Sequence, residues 1–343
     1  MKTRQYDNIT LDMGGGGLKS AEIISIIRKN FPKSSKWKNI EDDGAVFSLP
    51  FKPFLNPPLS TEAGDLKLVF TTDAFIVDPI FFPGGDIGKI AMCGTINDLS
   101  VMGAKPIGIS LSLVIEEGFP IEDLKKIMQS IGRISRETGV PIVTGDTKVT
   151  EKGKIDKLEI TTAGIGLAEN IISNSGAQAG DVIISSGDLG EHTVALLAQR
   201  FKYKTKIKSD CKPLNGELKK AGSFLNACKD PTRGGLAANL NEIADKSKVK
   251  IILEEKSLPY KKEVVAVTEL LGLDKFSLAS EGRFIGAVSE KNADKVLKIL
   301  KFFNAEARII GRVEKGRGVF VRTDLGSLRK IESPRGKLIP RIC

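Results

Sequence analysis

Histidine and cysteine are scarce in this 343-residue chain, which has one histidine, His192, and four cysteines. One imidazole cannot supply the ligands of the histidine-rich metal sites on which many hydrolases depend, so that class of site is excluded. The cysteines are Cys93, Cys211, Cys228 and Cys343. Because they stand singly, neither a disulfide framework nor a CxxC zinc site is predicted. Cys93 falls in the apolar pattern of a helix and is expected in the core, whereas Cys211 and Cys228 are assigned no function.

Aromatic residues are also few, with one Trp and three Tyr, and the Phe residues lie mostly in apolar runs. Lysine and arginine outnumber aspartate and glutamate by 52 to 42, a formal net charge of +10. That balance would suit a nucleic-acid binder or an enzyme with polyanionic substrates. Nucleic-acid platforms interleave exposed aromatics with basic residues, so nucleic acid is not expected as a partner. Most of the excess charge is expected on a solvated surface.

Two further absences concern membranes and dinucleotide cofactors. No apolar run approaches the ~20 residues of a transmembrane helix, and the first residues include no apolar signal-peptide core. We therefore expect no membrane association and a cytoplasmic location. A Rossmann GxGxxG fingerprint after a strand is absent, which excludes the usual NAD or FAD site.

Hydrophobic periodicity predicts an alternation of strands and helices in both halves of the chain. The predicted strands cover 67–77, 107–115, 140–144, 158–167, 181–186, 249–253 and 308–313, and the predicted helices cover 88–102, 120–138, 191–201, 234–247 and 291–303. This alternation predicts a mixed α/β (α+β) fold. The small-residue stretch 171–180 sets a domain boundary near residue 170, so the predicted domains are 1–170 and 171–328. Residues 329–343 lack periodicity and are predicted to be a flexible tail, and the proline-rich segment 48–66 is predicted to be a loop insertion.

Aspartates beside glycines or other small residues recur at the ends of predicted elements. They stand in the motifs DDGA (42–45), TTD (71–73), ND (97–98), GDTK (145–148) and DPTRGG (230–235). Magnesium keeps several waters and is held by one or two carboxylates beside substrate phosphates, so five such motifs favour a nucleotide site. The alternative for any one motif is that Asp and Gly populate turns and helix caps.

Two glycine-rich runs are candidate phosphate loops. The run GGDIGKI at 84–90 is one residue short of a Walker A motif and has Ile in the metal-binding position. Its Lys89 still opens a helix, where backbone N–H groups and the lysine charge could face phosphate. The run Gly14–Gly17, ahead of a helix predicted to begin near Ser20, is either a linker or a lid over a triphosphate.

Long blocks of the sequence can be compared with known families. They read TTDAFIVDPIFFPGGDIGKIAMCGTINDLSVMGAKP, VTGDTKV, DPTRGGLA, SEGR and the terminal PRIC. Together they resemble the hydrogenase maturation factor HypE family, within the superfamily of aminoimidazole ribonucleotide synthetase and selenophosphate synthetase. The motifs run in family order from residue 9 to residue 343, and the cysteine-terminated PRIC is the most specific of them.

The resemblance implies a fold and an activity. The fold would be two-domain and PurM-like, with the N-terminal domains pairing in a homodimer. A carbamoyltransferase of the HypF type would place a carboxamide on Cys343, and dehydration with ATP and Mg²⁺ would convert it to a thiocyanate. The cyano group would then pass through a HypC–HypD-type scaffold to the iron of a [NiFe] hydrogenase. A soft nucleophile on a flexible arm suits such a carrier role.

The resemblance also implies roles for individual residues. The residues matching the metal-coordinating aspartates are Asp43, Asp98 and Asp230, and those matching the nucleotide region are Asp73, Lys89, Asn97, Asp146 and Thr232. Lys148 and Glu281 are the candidates beside the Cys343 carboxamide, one to polarise it or receive a proton and the other to orient its NH₂. The alternative is that Lys148 is a surface lysine and Glu281 a helix or turn cap.

Two positions depart from the family pattern. Met13 stands where relatives commonly have His, and the chain reads Gly190-Glu191-His192 where relatives read Gly-Asp-His. His192 is therefore either a structural histidine or part of the site.

Three other functions remain open from the sequence. A selenophosphate synthetase would need a reactive Cys or selenocysteine beside the N-terminal glycine loop, where the chain has none. The purine-pathway synthetase has no use for a cysteine tail. A non-catalytic assembly scaffold, binding its partner through the basic tail, would have no need for the five aspartate motifs.

Overall fold

The computed structural model describes residues 18–19, 21–22, 25, 37–39, 42–48, 66–334, 339 and 341–343. The predicted Gly14–Gly17 loop, Met13, the predicted helix start at Ser20 and nearly all of segment 48–66 lie outside the described residues. None of the described helices is both long enough and apolar enough to cross a membrane.

Within the described residues, the first domain contains a six-stranded sheet with two fully described helices against it. Its strands are β1 (Trp37–Lys38), β2 (Ala45–Ser48), β3 (Lys67–Phe75), β6 (Lys105–Glu116), β7 (Ile142–Thr150) and β8 (Leu158–Ala168), with a small hairpin of β4 (Phe81–Phe82) and β5 (Gly85–Asp86). The order in the sheet is β1-β2-β3-β8-β6-β7, and only the edge pair β6–β7 is parallel. Its helices are α1 (Ile87–Val101) and α2 (Ile121–Thr138).

Helix α1 is the central element of this domain. Asp86 caps its N-terminus by accepting a hydrogen bond from Lys89 N at 2.9 Å, and nearly all of its residues are buried. It lies between the sheet, where it contacts β3 and β8, and the second domain, where it contacts the strand at 225–229 and the helix at 215–221. Polar residues near its C-terminal end therefore face the junction of the two domains.

The second domain is a seven-stranded sheet with flanking helices. Its strands are β9 (Asp181–Ser185), β10 (Leu225–Lys229), β11 (Val249–Glu254), β12 (Ile285–Ser289), β13 (Arg308–Lys315), β14 (Gly318–Arg322) and β15 (Leu328–Ile331). Its helices are α3 (Glu191–Phe201), α4 (Asn215–Ala221), α5 (Gly235–Ser247), α6 (Lys262–Leu271) and α7 (Glu290–Phe303). The order is β10-β12-β9-β13-β11-β14-β15, antiparallel except for β11–β14.

The predicted alternation of strands and helices is confirmed, but the predicted tail begins too early. Residues 329–331 belong to β15, which pairs with β14 through Phe320 and Lys330 and buries Ile331. The end of the tail also packs on the protein, since Ile342 is buried in the core of the first domain. Apolar periodicity missed both features because a four-residue edge strand and a single buried side chain are too short to produce a pattern.

Candidate active site

Three aspartates from separate parts of the chain meet at the junction of the two domains. Asp43 precedes β2, Asp98 lies in the last turn of α1, and Asp230 follows β10. One carboxylate oxygen of each lies within 4.8 Å of the others. Asp98 also accepts a hydrogen bond from Thr71 Oγ1 at 2.9 Å. The structure thus brings together the three residues that the family resemblance assigns to a metal site.

Burial and mutual repulsion make this cluster a poor place for three uncompensated negative charges. Burial, and then the charges of Asp73 and Asp230, raise the pKa of Asp98 well above its ordinary value. Burial, and then the charge of Asp43, raise the pKa of Asp230 to about 7. Burial also raises the pKa of Asp73 in β3, which shares a hydrogen bond with Asp98. A cation among these carboxylates would offset the repulsion.

Two lysines of the second domain hold the loop that carries Asp43. Lys229 forms an ion pair with Asp43, and its Nζ lies 3.3 Å from Glu242 Oε2. Lys246 Nζ contacts Asp42 Oδ1 at 2.7 Å and Glu242 Oε1 at 2.8 Å. Burial alone would lower the pKa of Lys229. The negative charges of Asp43 and Glu242 have the larger effect, so the pKa of this lysine is raised. These pairs fix the Asp43 loop against the second domain.

The DPTRGG motif forms the turn that leads from Asp230 into α5. Thr232 N donates to Asp230 O at 2.9 Å, and Gly235 N donates to Thr232 O at 3.0 Å. Gly235 has φ +57°, and a Cβ at this position would lie 2.5 Å from Leu278 O. Only glycine fits such a close backbone approach in this conformation.

Glu281 is a buried acid, 2% exposed. It lies in the cleft, as the junction of the two domains around the aspartate cluster is called below. Its Oε1 has no hydrogen-bond partner among the residues that the structure describes. Burial, and then the charges of Asp230 and Asp210, raise its pKa well above the ordinary value for Glu. Its backbone N donates to Asp210 Oδ1 at 3.1 Å. A carboxyl group held in this way exchanges a proton nearer neutral pH than an exposed one.

Asn97 joins the two domains instead of leaving its amide open to the cleft. Its Nδ2 donates to Lys212 O and Glu281 O, each at 3.2 Å. Its Oδ1 accepts a hydrogen bond from Leu214 N at 2.8 Å. Asn97 therefore holds the backbone of Glu281 in place, and its role toward a nucleotide stays a prediction.

The end of the chain docks in the cleft beside these groups. Asp78 N donates to Arg341 O at 3.1 Å, and Ile76 N donates to Cys343 O at 3.4 Å. The side chain of Ile342 points the other way, into the core of the first domain. Burial, and then the charge of Glu281, raise the pKa of the half-buried Cys343 thiol. Cys343 and Glu281 therefore share one site.

His192, left open by the sequence, contacts the tail directly. It is fully buried at the start of α3. Its Nε2 lies 2.7 Å from Ile342 O, and its Nδ1 lies 2.8 Å from Ser209 Oγ. Phe82 packs edge-on against the ring, with centroids 5.3 Å apart. The lone histidine is thus part of the tail's binding site.

Three predicted residues lie elsewhere in the single chain. Lys148 and Asp146 are 72% and 65% exposed on edge strand β7 and pair with each other at 3.4 Å. No hydrogen bond or ion pair within the described residues joins them to the aspartate cluster. Lys89 Nζ donates to Gly84 O at 2.8 Å, which stabilises the glycine turn before α1. The site roles predicted for these three residues stay predictions.

Arg233 is a site residue that the sequence reasoning missed. The Cys343 side chain raises the pKa of its guanidinium, as do Asp73 and Glu281. Its signal in the sequence was a lone arginine between an aspartate and two glycines, a turn that projects a cation toward bound anions. The motif was interpreted as a turn because of its Asp, Pro and Gly residues, and its arginine was given no role.

The comparisons with known proteins match the chain over most of its length. The family model for the N-terminal domain of AIR synthase related proteins matches residues 41–168, and the model for their C-terminal domain matches 178–324. The predicted boundary near residue 170 lies between the two. The carbamoyl dehydratase HypE of Rhizobium leguminosarum bv. viciae is 41% identical, covering 98% of this chain and 95% of the relative.

Solved structures show the same likeness. A HypE–HypF complex contains a chain with a TM-score of 0.81 and 38% identity, covering 92% of this chain and 100% of that one. A HypE structure in complex with ATP has a TM-score of 0.79 and 35% identity, covering 98% of this chain and 100% of that one. The two-domain fold is therefore PurM-like, as the resemblance implied.

Proposed function

The chain belongs to the HypE family of carbamoyl dehydratases, and we propose that it dehydrates a carboxamide on Cys343 to a thiocyanate, using ATP. The observation that carries this proposal is the position of the terminal cysteine. Its main chain is bound in the cleft, beside a buried glutamate with a free carboxyl oxygen and an arginine. ATP as co-substrate is supported by the HypE relative whose structure contains it.

The reaction needs the amide oxygen to become a leaving group. That oxygen attacks the γ-phosphorus of ATP and ADP departs, leaving a phosphorylated S-carbamoyl group. Loss of the two N–H protons and cleavage of the C–O bond then release phosphate and form the C≡N triple bond. We propose that Glu281 takes an N–H proton, because its raised pKa makes its carboxylate a stronger base than an exposed glutamate. Arg233 provides positive charge for the phosphoryl oxygens.

Asp43, Asp98 and Asp230 would hold Mg²⁺ beside the phosphates. The donor set fits this ion, because three hard carboxylate oxygens lie within 4.8 Å of one another, and burial together with the repulsion among the carboxylates raises the pKa of two of them. When bound, Mg²⁺ neutralises charge on phosphate oxygens. The Lys229 ion pair positions Asp43 for this task. Asp73 and Thr232, at the edge of the cluster, are proposed to border the nucleotide.

Partners follow from the same proposal. A HypF-type carbamoyltransferase would load Cys343, in line with the HypE–HypF complex among the relatives, and a HypC–HypD-type scaffold would receive the cyano group.

We also propose a homodimer of N-terminal domains. Edge strand β7 supports it with exposed Val143 and Val149, and pairing there would bring Asp146 and Lys148 close to the second copy. A carrier thiol requires a reducing compartment, so we propose the cytoplasm.

Mass spectrometry of the intact C-terminal peptide tests the activity. The full-length protein is incubated with a HypF-type carbamoyltransferase and carbamoyl phosphate, then with Mg²⁺ and ATP. We expect a carboxamide on Cys343 that loses the mass of one water only when ATP is present. The variant Cys343→Ser should bind ATP normally and yield no thiocyanate. An unmodified Cys343 beside robust ATP turnover on another substrate would contradict the proposal.

A further inference from the structure

The last residues of the tail bind the protein mainly through their main chain. Alternate carbonyls, those of Arg341 and Cys343, accept hydrogen bonds from Asp78 N and Ile76 N. The carbonyl between them, on Ile342, faces His192 Nε2 at 2.7 Å. These contacts recognise the main chain of the tail and not its side chains. None of these contacts involves the sulfur of Cys343.

The hydrogen bonds of His192 define its tautomer. A carbonyl oxygen can only accept, so Nε2 carries the proton and donates to Ile342 O. Nδ1 then accepts from the hydroxyl of Ser209, which in turn accepts from Cys211 N at 3.1 Å. Ser209 is itself held by a bond from its N to Pro83 O at 2.8 Å. The imidazole is therefore fixed from behind with its N–H directed at the tail.

Departure of the tail would leave this N–H without its acceptor. His192 is 0% exposed, and a buried donor that loses its partner is destabilising unless water replaces the partner. Arg200 adds a second contact, since its Nη2 donates to Arg341 O at 3.1 Å. The side chain of Arg341 adds a third contact, an ion pair in which its Nη1 lies 2.6 Å from Asp156 Oδ2.

We infer that His192 is the positioning residue that keeps the tail docked, and that it does so independently of the group attached to the sulfur. This inference rests on the proposed function for its purpose, which is to return Cys343 to the cleft after loading by a partner. A clamp on the Ile342 carbonyl works equally for a free thiol, a carboxamide or a thiocyanate. The Cys343 thiol of the docked tail is half-buried. Loading of this thiol by a partner enzyme therefore requires the hydrogen bond between His192 and Ile342 O to break.

Alkylation of the full-length protein tests the clamp without ATP or any partner. Native protein is treated with iodoacetamide, and the labelling rate of each cysteine is read by peptide mass spectrometry. In His192→Asn the amide stays near Ser209 and does not reach the tail, so Cys343 should be labelled about tenfold faster, as expected for the loss of one buried hydrogen bond. In His192→Gln the amide nitrogen reaches about as far as Nε2, so the rate should stay near that of the unchanged protein.

Cys93, Cys211 and Cys228 are buried internal controls in the same molecules. Their rates should not change, whereas a general loss of structure would raise all four together. Ile342→Asp, which places a charge in the apolar pocket, supplies the reference rate for a released tail. Ser209→Ala frees the imidazole to rotate and should raise the Cys343 rate even if His192→Asn fails to fold.

Equal Cys343 rates in the unchanged protein, His192→Asn and Ser209→Ala would overturn the inference, as would a parallel rise at all four cysteines in both variants. Because the assay includes no nucleotide, these outcomes say nothing against dehydration. Absence of thiocyanate with a normal alkylation pattern would instead count against the proposed function alone.

Discussion

Glu281 is the residue at which the proposed chemistry is most directly testable. Glu281→Gln keeps the side-chain volume and removes the proton acceptor, and general bases typically contribute about 10²–10⁴-fold to a rate. We therefore expect ATP-dependent loss of water from the Cys343 carboxamide to slow by about that factor in single-turnover measurements. Glu217→Gln is the matched control, since Glu217 is equally buried and has a raised pKa but pairs with Lys212. An unchanged rate in Glu281→Gln would rule out the base assignment.

The aspartate cluster predicts how the stability of the metal-free protein depends on pH. Asp titrates near ~3.9 when unfolded, whereas Asp230 titrates at about 7 in the fold and the pKa of Asp98 is also raised. Between these values the folded state binds more protons, so its stability is full at low pH and is lost as pH rises toward 7. The Tm in EDTA should therefore carry a downward contribution from these groups between about pH 4 and 7, and Mg²⁺ should reduce it.

Asp98→Asn removes one of the repelling charges and tests that explanation. The downward contribution to Tm should shrink in the variant, and the stabilisation by Mg²⁺ should weaken with it, as differential scanning fluorimetry would show. Identical pH and Mg²⁺ responses in Asp98→Asn and the unchanged protein would remove Asp98 from the metal set.

The residues of the proposed metal site were predicted through the family resemblance, because each of them stands in a short sequence motif. Asp43, Asp98 and Asp230 each stand in such a motif, and the structure brings them together. The tail contacts of His192 and Arg233 could not be predicted, because they depend on where the last residues of the chain dock. No periodic pattern in the sequence indicates the path of these last residues.

At the scale of elements, the turn into α5 should tolerate no side chain. Gly235→Ala places a Cβ 2.5 Å from Leu278 O at a positive φ, so we expect a loss of about 2 kcal/mol or more in the free energy of unfolding. The control Gly132→Ala lies inside α2, where only the flexible end of Arg136 is near, and should stabilise by up to ~1 kcal/mol. Urea denaturation measures both, and equal effects would refute the backbone argument.

Several long helices were predicted from the sequence, whereas some short or irregular elements were missed. Helix α3 was predicted with its observed bounds, and α2 within one residue. Strand β12 was missed because four of its five residues are buried, which leaves no alternation to detect. Helix α6 was missed because it buries only Val264 and Thr268. Strand β10 is short, and its register with β12 shifts after Leu225.

At the scale of the whole molecule, β7 is the surface on which the proposed homodimer can be tested. Val143 and Val149, 60% and 70% exposed, both lie on this edge strand. Val149→Glu would bury a charge at the interface, so sedimentation velocity should show a shift to monomer. Leu325→Glu, at a residue 96% exposed in a distant turn, should leave the sedimentation coefficient unchanged. A Val149→Glu protein that sediments like the parent would exclude this face.

The aspartate cluster takes Asp43 and Asp98 from one domain and Asp230 from the other. Neither domain alone therefore holds the proposed set of Mg²⁺ ligands, so on this proposal the ion cannot template the folding of either domain. The proposed Mg²⁺ would bind only after both domains have folded and docked against each other. In stopped-flow experiments Mg²⁺ should accordingly slow unfolding while leaving the rate of refolding unchanged.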